Sequence, residues 1–207
     1  MRASIAVLVI AGLAAVAAPA AMAAGNDPDW PCVQRKVAEI SAGQIWDGPP
    51  LDGIGDSWRD DGALADLART IASRRTEMPE AKQKIAAFAA AAGADKNRRL
   101  TLLFAGVLET LNGERRSIIA GIGRYARRQH ALAEKISAQL AELDTLPEKD
   151  ATAEQVDRRE ELLEMQNWDS RIFRERERSL QYVCELPVQL DQRAFALGRE
   201  VSGQLDK

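Results

Sequence analysis

The sequence predicts an all-α protein, an elongated helical bundle built around one long antiparallel helical hairpin. Three observations carry this expectation. From Asp95 to about Asp144 apolar residues recur every seven positions, Leu146-Pro147 then begins a turn, and a second apolar-periodic run leads to Cys184. No window alternates apolar and polar residues as a half-buried strand would. Glycine and proline, the residues that punctuate regular structure, gather in an irregular Pro/Gly/Trp connector near the N-terminus.

The first residues, "MRASIAVLVIAGLAAVAAPAAMA", read as a cleaved signal peptide. Arg2 gives a basic start, an apolar core runs from about Ile5 to Ala18, and Ala21 and Ala23 supply the small-x-small pattern for a cut after Ala23. The apolar run is shorter than the roughly 20 residues a membrane span needs. The expectation is an exported, periplasmic protein of a Gram-negative source, with residues 24–207 forming a single helical domain.

A short helix is expected from Pro31 to Ile45, because proline suits a first helical turn and Val33, Val37 and Ile40 recur at spacings of four and three. Residues 46–61, "WDGPPLDGIGDSWRDD", form the connector. Leu64, Leu67 and Ile71 mark a second helix over 63–75, opened by Asp60 or Asp61, and an Ala-rich third helix starts around Thr76–Pro79 and ends near Gly93. Phe104, Leu111, Ile118, Tyr125 and Leu132 then repeat every seven residues, beside a second row of Leu108, Ile122, Ile136 and Leu143. This is coiled-coil-like packing. Because the phase is unbroken across Asn112-Gly113, one long helix is expected there. Gly106, Gly121 and Gly123 disfavour helix, so close neighbours are expected beside them. After the turn, Thr152-x-x-Gln155 is a capping box. The fifth helix carries Val156, Leu163, Ile172, Phe173, Leu180 and Val183, and Pro187 is expected to break or kink it before a final helix over 188–203.

Two cysteines in an exported chain, Cys32 and Cys184, predict one structural disulfide. Closing so long a loop stabilises by about 5 kcal/mol in the chain-entropy model.

Composition narrows the chemistry. The full chain has net charge −3, and losing Arg2 with the leader brings the mature chain to −4, which gives no electrostatic case for nucleic acid or an anionic membrane. No cofactor is expected. His130 is the only histidine, and with the cysteines paired a zinc site lacks ligands. Asp47, Asp52, Asp56, Asp60 and Asp61 do not follow a calcium-loop order. Asp157, Glu161 and Glu164 share a helix face with Arg158 and Arg159 among them, the pattern of a solvated, ion-paired surface.

Three groups remain as candidate sites. Arg124, Arg127 and Arg128, with Arg115 and Arg116 two to three turns away, could bind an anion, or form inter-helix ion pairs with acids of the facing helix such as those in "RERER" at 174–178. Arg115 and Gln129 on the fourth helix, and Ser170 and Glu177 on the fifth, put polar groups on seam rows. Such residues set register or line a ligand cavity. Trp46 and Trp58 bracket Pro49-Pro50; they pin the loop to the bundle end or serve as exposed anchors for a partner. The functional expectation is a non-enzymatic protein acting by protein–protein interaction, as scaffold, adaptor or chaperone-like sensor. Its partner is another exported or membrane-associated protein, or a second copy through self-association. The alternative is a small-ligand or anion-binding bundle with its site between the two long helices, touching Arg115, Gln129 or Ser170.

Overall fold

Residues Asp27–Asp206 are described by the structure, a computed structural model; the expected leader lies outside them. Among the described residues there are four α-helices and no strand. They are α1 (Gly62–Ala72), α2 (Met78–Ala91), α3 (Lys96–Thr145) and α4 (Ala153–Ser202), with short 3₁₀ turns at Ala42–Gln44, Ser57–Arg59 and Gly93–Asp95. The all-α architecture and its central hairpin are as expected.

Each start has a local cause. Asp61 opens α1, its Oδ1 accepting from the backbone of Ala63 and Leu64 at 3.0 and 3.1 Å, and those bonds, the one from Leu64 foremost, hold its carboxyl below the usual range. Pro79 sits in the first turn of α2, where its missing N–H costs nothing. Thr152 and Gln155 form the expected capping box of α4.

α3 and α4 are 50 residues each, about 75 Å long at 1.5 Å per residue. α3 runs through Asn112-Gly113 without interruption. The buried seam follows Phe104, Leu108, Leu111, Arg115, Ile119, Ile122, Ala126 and Gln129. It therefore moves off the expected row by one position, leaving Ile118, Tyr125 and Leu132 only half-buried. A helix of 3.6 residues per turn drifts about 20° per heptad, and this one slides with it.

Two expectations fail. Pro187 does not end α4, which continues to Ser202. Leu190, Ala194, Leu197 and Val201 are buried beyond it, so packing keeps the chain helical across the missing hydrogen bond. The Pro187 carbonyl is itself bound, accepting from Arg115 Nη1 at 2.8 Å. Nor do residues 31–45 form a helix. They run as an irregular strap whose only regular element is the 3₁₀ turn. Val33 is fully exposed and Val37 is 44% exposed, so of the expected row only Ile40 is buried.

The core gathers at one end of the hairpin. Ile71, Ile85, Leu100, Leu103, Phe104, Val107, Leu111, Leu190 and Leu197, drawn from all four helices, belong to it together with Leu64 and the connector's Trp46 and Trp58. On α3 this cluster extends no further than Leu111, and on α4 it begins at Leu190. Beyond it the strap accompanies the hairpin as far as Arg127, and from there the two helices continue as an arm.

Candidate functional site

The strap explains the concentration of large rigid residues near the N-terminus. It lies along the hairpin, antiparallel to α3. Asp29 binds Arg127, Cys32 is bonded to Cys184 with Cα atoms 5.6 Å apart, and Gln34 donates to the Cys184 carbonyl. Further on, Val37 O accepts from Arg115 Nε at 2.8 Å. Asn112 then grips Ile40 at both backbone groups, accepting from its N–H at 2.8 Å and donating to its C=O at 3.2 Å. A side-chain amide here replaces the neighbouring strand that an extended segment would otherwise need.

Both connector tryptophans are buried, Trp46 at 9% and Trp58 at 3% exposure. Of the two roles open to them, they take the pinning one and are not displayed. Trp46 stacks on Phe104 with ring centroids 4.3 Å apart, its indole N–H donating to Pro49 O at 2.7 Å. Trp58 donates to Glu109 Oε2 at 2.7 Å, with the Arg59 guanidinium 4.4 Å above its ring. Burial opposes ionisation of Glu109, but the hydrogen bonds from Trp58 and Arg59 outweigh it and hold the carboxyl below its ordinary value. Each ring removes about 150–250 Å² from water, on the order of 5 kcal/mol before entropy is counted. Pro49 and Pro50 stay exposed at the loop tip.

Glycines make room for this packing. A Cβ on Gly106 would lie 2.7 Å from the Trp58 ring, and one on Gly198 only 2.3 Å from Ile45 O. Gly106 thus has the close neighbour that was expected. Gly121 does not, the nearest atom to a Cβ there being an arginine nitrogen at 3.8 Å, whereas Gly123 is buried in ordinary contact with the strap, Asp29 O lying 3.8 Å from a Cβ.

The polar seam residues serve the scaffold. Arg115 is buried, with its guanidinium bound to Val37 O, Pro187 O and Asp191 Oδ1. It lines a groove of about 350 Å³ with Gln34, Val37, Pro187 and Asp191, yet its donors are directed at protein atoms. Gln129 Nε2 donates to Phe173 O at 3.2 Å, while its Oε1 has no hydrogen-bond partner. Ser170 Oγ lies 3.0 Å from Gln166 Nε2. The three are therefore not drawn together at one cavity. Arg124 and Arg128 are exposed and, among the described residues, make no ion pair; the pairs expected with 174–178 do not form. Among the described residues no three His, Cys, Asp or Glu side chains come together as a metal site, and no helix is long and apolar enough to cross a membrane.

The outer arm of the hairpin exposes Val156 and Leu163, which mark the helix in the sequence, and with them Leu140 and Trp168, to which the sequence assigned no role. Leu140, Val156 and Leu163 are 46%, 42% and 40% exposed, and Trp168, the one tryptophan outside the N-terminal segment, is 57% exposed. Trp168 lies beside a cleft of about 480 Å³ lined also by Lys135, Met165 and Arg171. The Arg171 guanidinium sits 4.4 Å from its ring. Behind it, Asp169 is buried and bound by Lys135 at 2.9 Å and Gln139 at 2.8 Å; these bonds, the Lys135 one first, hold its carboxyl below the ordinary range. The available signal was a tryptophan set in "MQNWDSR", between charged residues on a helix surface.

Compared with known proteins, the chain matches no family model, no curated protein and no solved structure.

Proposed function

We propose that this chain is an exported, periplasmic, non-catalytic helical protein that works by protein–protein contact, as a scaffold, adaptor or chaperone-like sensor. The outer arm of the hairpin is its contact surface. The observation that carries this reading is the arm itself: two helices standing clear of the core, with Trp168, Leu140, Val156 and Leu163 exposed among charges. Tryptophan is enriched among the few residues that dominate binding energy. Burial of Trp46 and Trp58 moves the proposed surface from the connector to the arm. Export is supported by the leader pattern in residues 1–23 and by the Cys32–Cys184 disulfide, since such bonds persist in oxidising compartments.

Site-specific photo-crosslinking in intact cells tests the reading. A photoreactive side chain at position 168 or 163 is expected to give discrete protein adducts, and one at Val33 is expected to give none. Absence of adducts from the arm would overturn it. The mass of the mature protein tests export separately, the expected N-terminus being Ala24.

A further inference from the structure

We propose that the partner of the arm is a second copy of this chain, bound antiparallel across a two-fold axis at Trp168; the proposal deepens the contact reading above and rests on it. The argument begins with one row of α4. Asp157, Glu164, Arg171 and Arg178 follow each other at seven-residue intervals, the spacing that keeps side chains on one helix face. All four are exposed, and among the described residues none enters an ion pair. The row changes sign at its middle, between Glu164 and Arg171, and Asn167 and Trp168 stand at that point.

Such a row is complementary to itself when reversed. Laid antiparallel about Asn167 and Trp168, Asp157 meets Arg178 of the second copy and Glu164 meets Arg171, and each pairing is made twice. Parallel pairing would set like charge against like charge along the whole row.

The length of the face agrees. The residues of α4 that map onto themselves about this centre run from 153, the first of the helix, to 182, two before the disulfide. Thirty residues span about 45 Å, and the face of one helix is about 10 Å wide. The footprint is on the order of 450 Å² per copy, beside about 800 Å² for a standard interface, the scale of a weak contact carried by its charges. The strap does not occupy this face. Trp168 shares its seven-residue row with Glu154, Glu161, Glu175 and Tyr182, whereas Cys184 ends the separate row of Val156, Leu163, Ser170 and Glu177. Two Trp168 rings flank the axis, each over the other copy's cleft with Met165 and Arg171 at its walls, and the product is a four-helix arrangement with a self-complementary interface.

Sedimentation equilibrium of the purified, oxidised protein tests the proposal with two charge-reversed variants. One is Asp157→Arg with Glu164→Arg, the other Arg171→Glu with Arg178→Glu. At tens of micromolar and low salt the parent is expected at twice the chain mass, dissociating as salt is added. Each variant alone is expected to self-associate at least about tenfold more weakly, and their equimolar mixture to form a 1:1 heterodimer. Circular dichroism of each variant matching the parent shows that the fold is kept. A single Asn167→Cys substitution reads the register independently: it is expected to give an inter-chain disulfide under oxidation, and Asp157→Cys is not. A parent that stays at monomer mass, variants that dimerise as the parent does, or a mixture without heterodimer would each overturn the proposal. A monomeric parent whose position 168 still crosslinks to a different protein in cells would remove this proposal and leave the contact reading standing.

Discussion

At the scale of single residues, the packing turns on what is missing from two glycines. Gly106 lets the Trp58 ring lie against α3, and Gly198 lets the backbone at Ile45 lie against α4. Nothing in the sequence ties Trp58 to Gly106; the pairing arises only when the connector folds back over the hairpin. A glycine in a helix is ordinarily a defect of about 1 kcal/mol relative to alanine. Gly106 and Gly121 should therefore respond oppositely to one substitution. Gly106→Ala is expected to destabilise by about 1–3 kcal/mol, because a Cβ 2.7 Å from an indole forces the ring away. Gly121→Ala, whose Cβ meets only a mobile arginine nitrogen at 3.8 Å, is expected to stabilise by up to about 1 kcal/mol. Paired urea titrations measure both, and equal signs would refute the account.

At the scale of elements, helices whose periodic face is buried were legible and the strap was not. The rows from Phe104 to Leu143 announce α3 because that face meets α4, and the capping box announces the start of α4 because its two bonds are local. Val33, Val37 and Ile40 carry the same spacing by coincidence, since only Ile40 is buried. What decides the strap is distant in sequence: Asn112, Arg115 and Cys184 supply its partners. Pro187 misleads for the same reason, its local cost being outweighed by buried residues on both sides. The candidate site was legible in part. The polar interruptions at Arg115 and Gln129 do fall on the seam, but whether they face ligand or protein depends on partners outside α3. The seam also contains a testable tension. Gln129 is buried with one oxygen unpartnered, a state that costs about 1–3 kcal/mol. Gln129→Leu is expected to raise stability by about 1 kcal/mol in thermal or urea melts while loosening register. A loss of that size instead would mean the amide is better satisfied than its geometry indicates.

At the scale of the whole molecule, the chain divides into a packed end and an arm. The packed end uses all four helices, the strap and both connector tryptophans. The arm is held by its own seam, by ion pairs such as Arg158–Glu142 at 2.8 Å, and by Lys135–Asp169. An arm with a half-exposed tryptophan and ordered opposing charges makes structural sense as a surface for a partner, and this division underlies the functional reading.

The Cys32–Cys184 bond also has a mechanical consequence. It joins residues 152 apart in sequence, so α1, α2, α3 and most of α4 lie inside a covalent ring, with only the chain ends outside. Tension applied between the two ends travels through the sulfur–sulfur bond and bypasses everything between. At about 3.5 Å per extended residue, on the order of 500 Å of contour is hidden from the pull. Single-molecule stretching of the oxidised protein is expected to stop short by that length, and a reducing agent, or Cys32→Ser with Cys184→Ser, to release it. An equal extension with and without reductant would show that the ring is not closed.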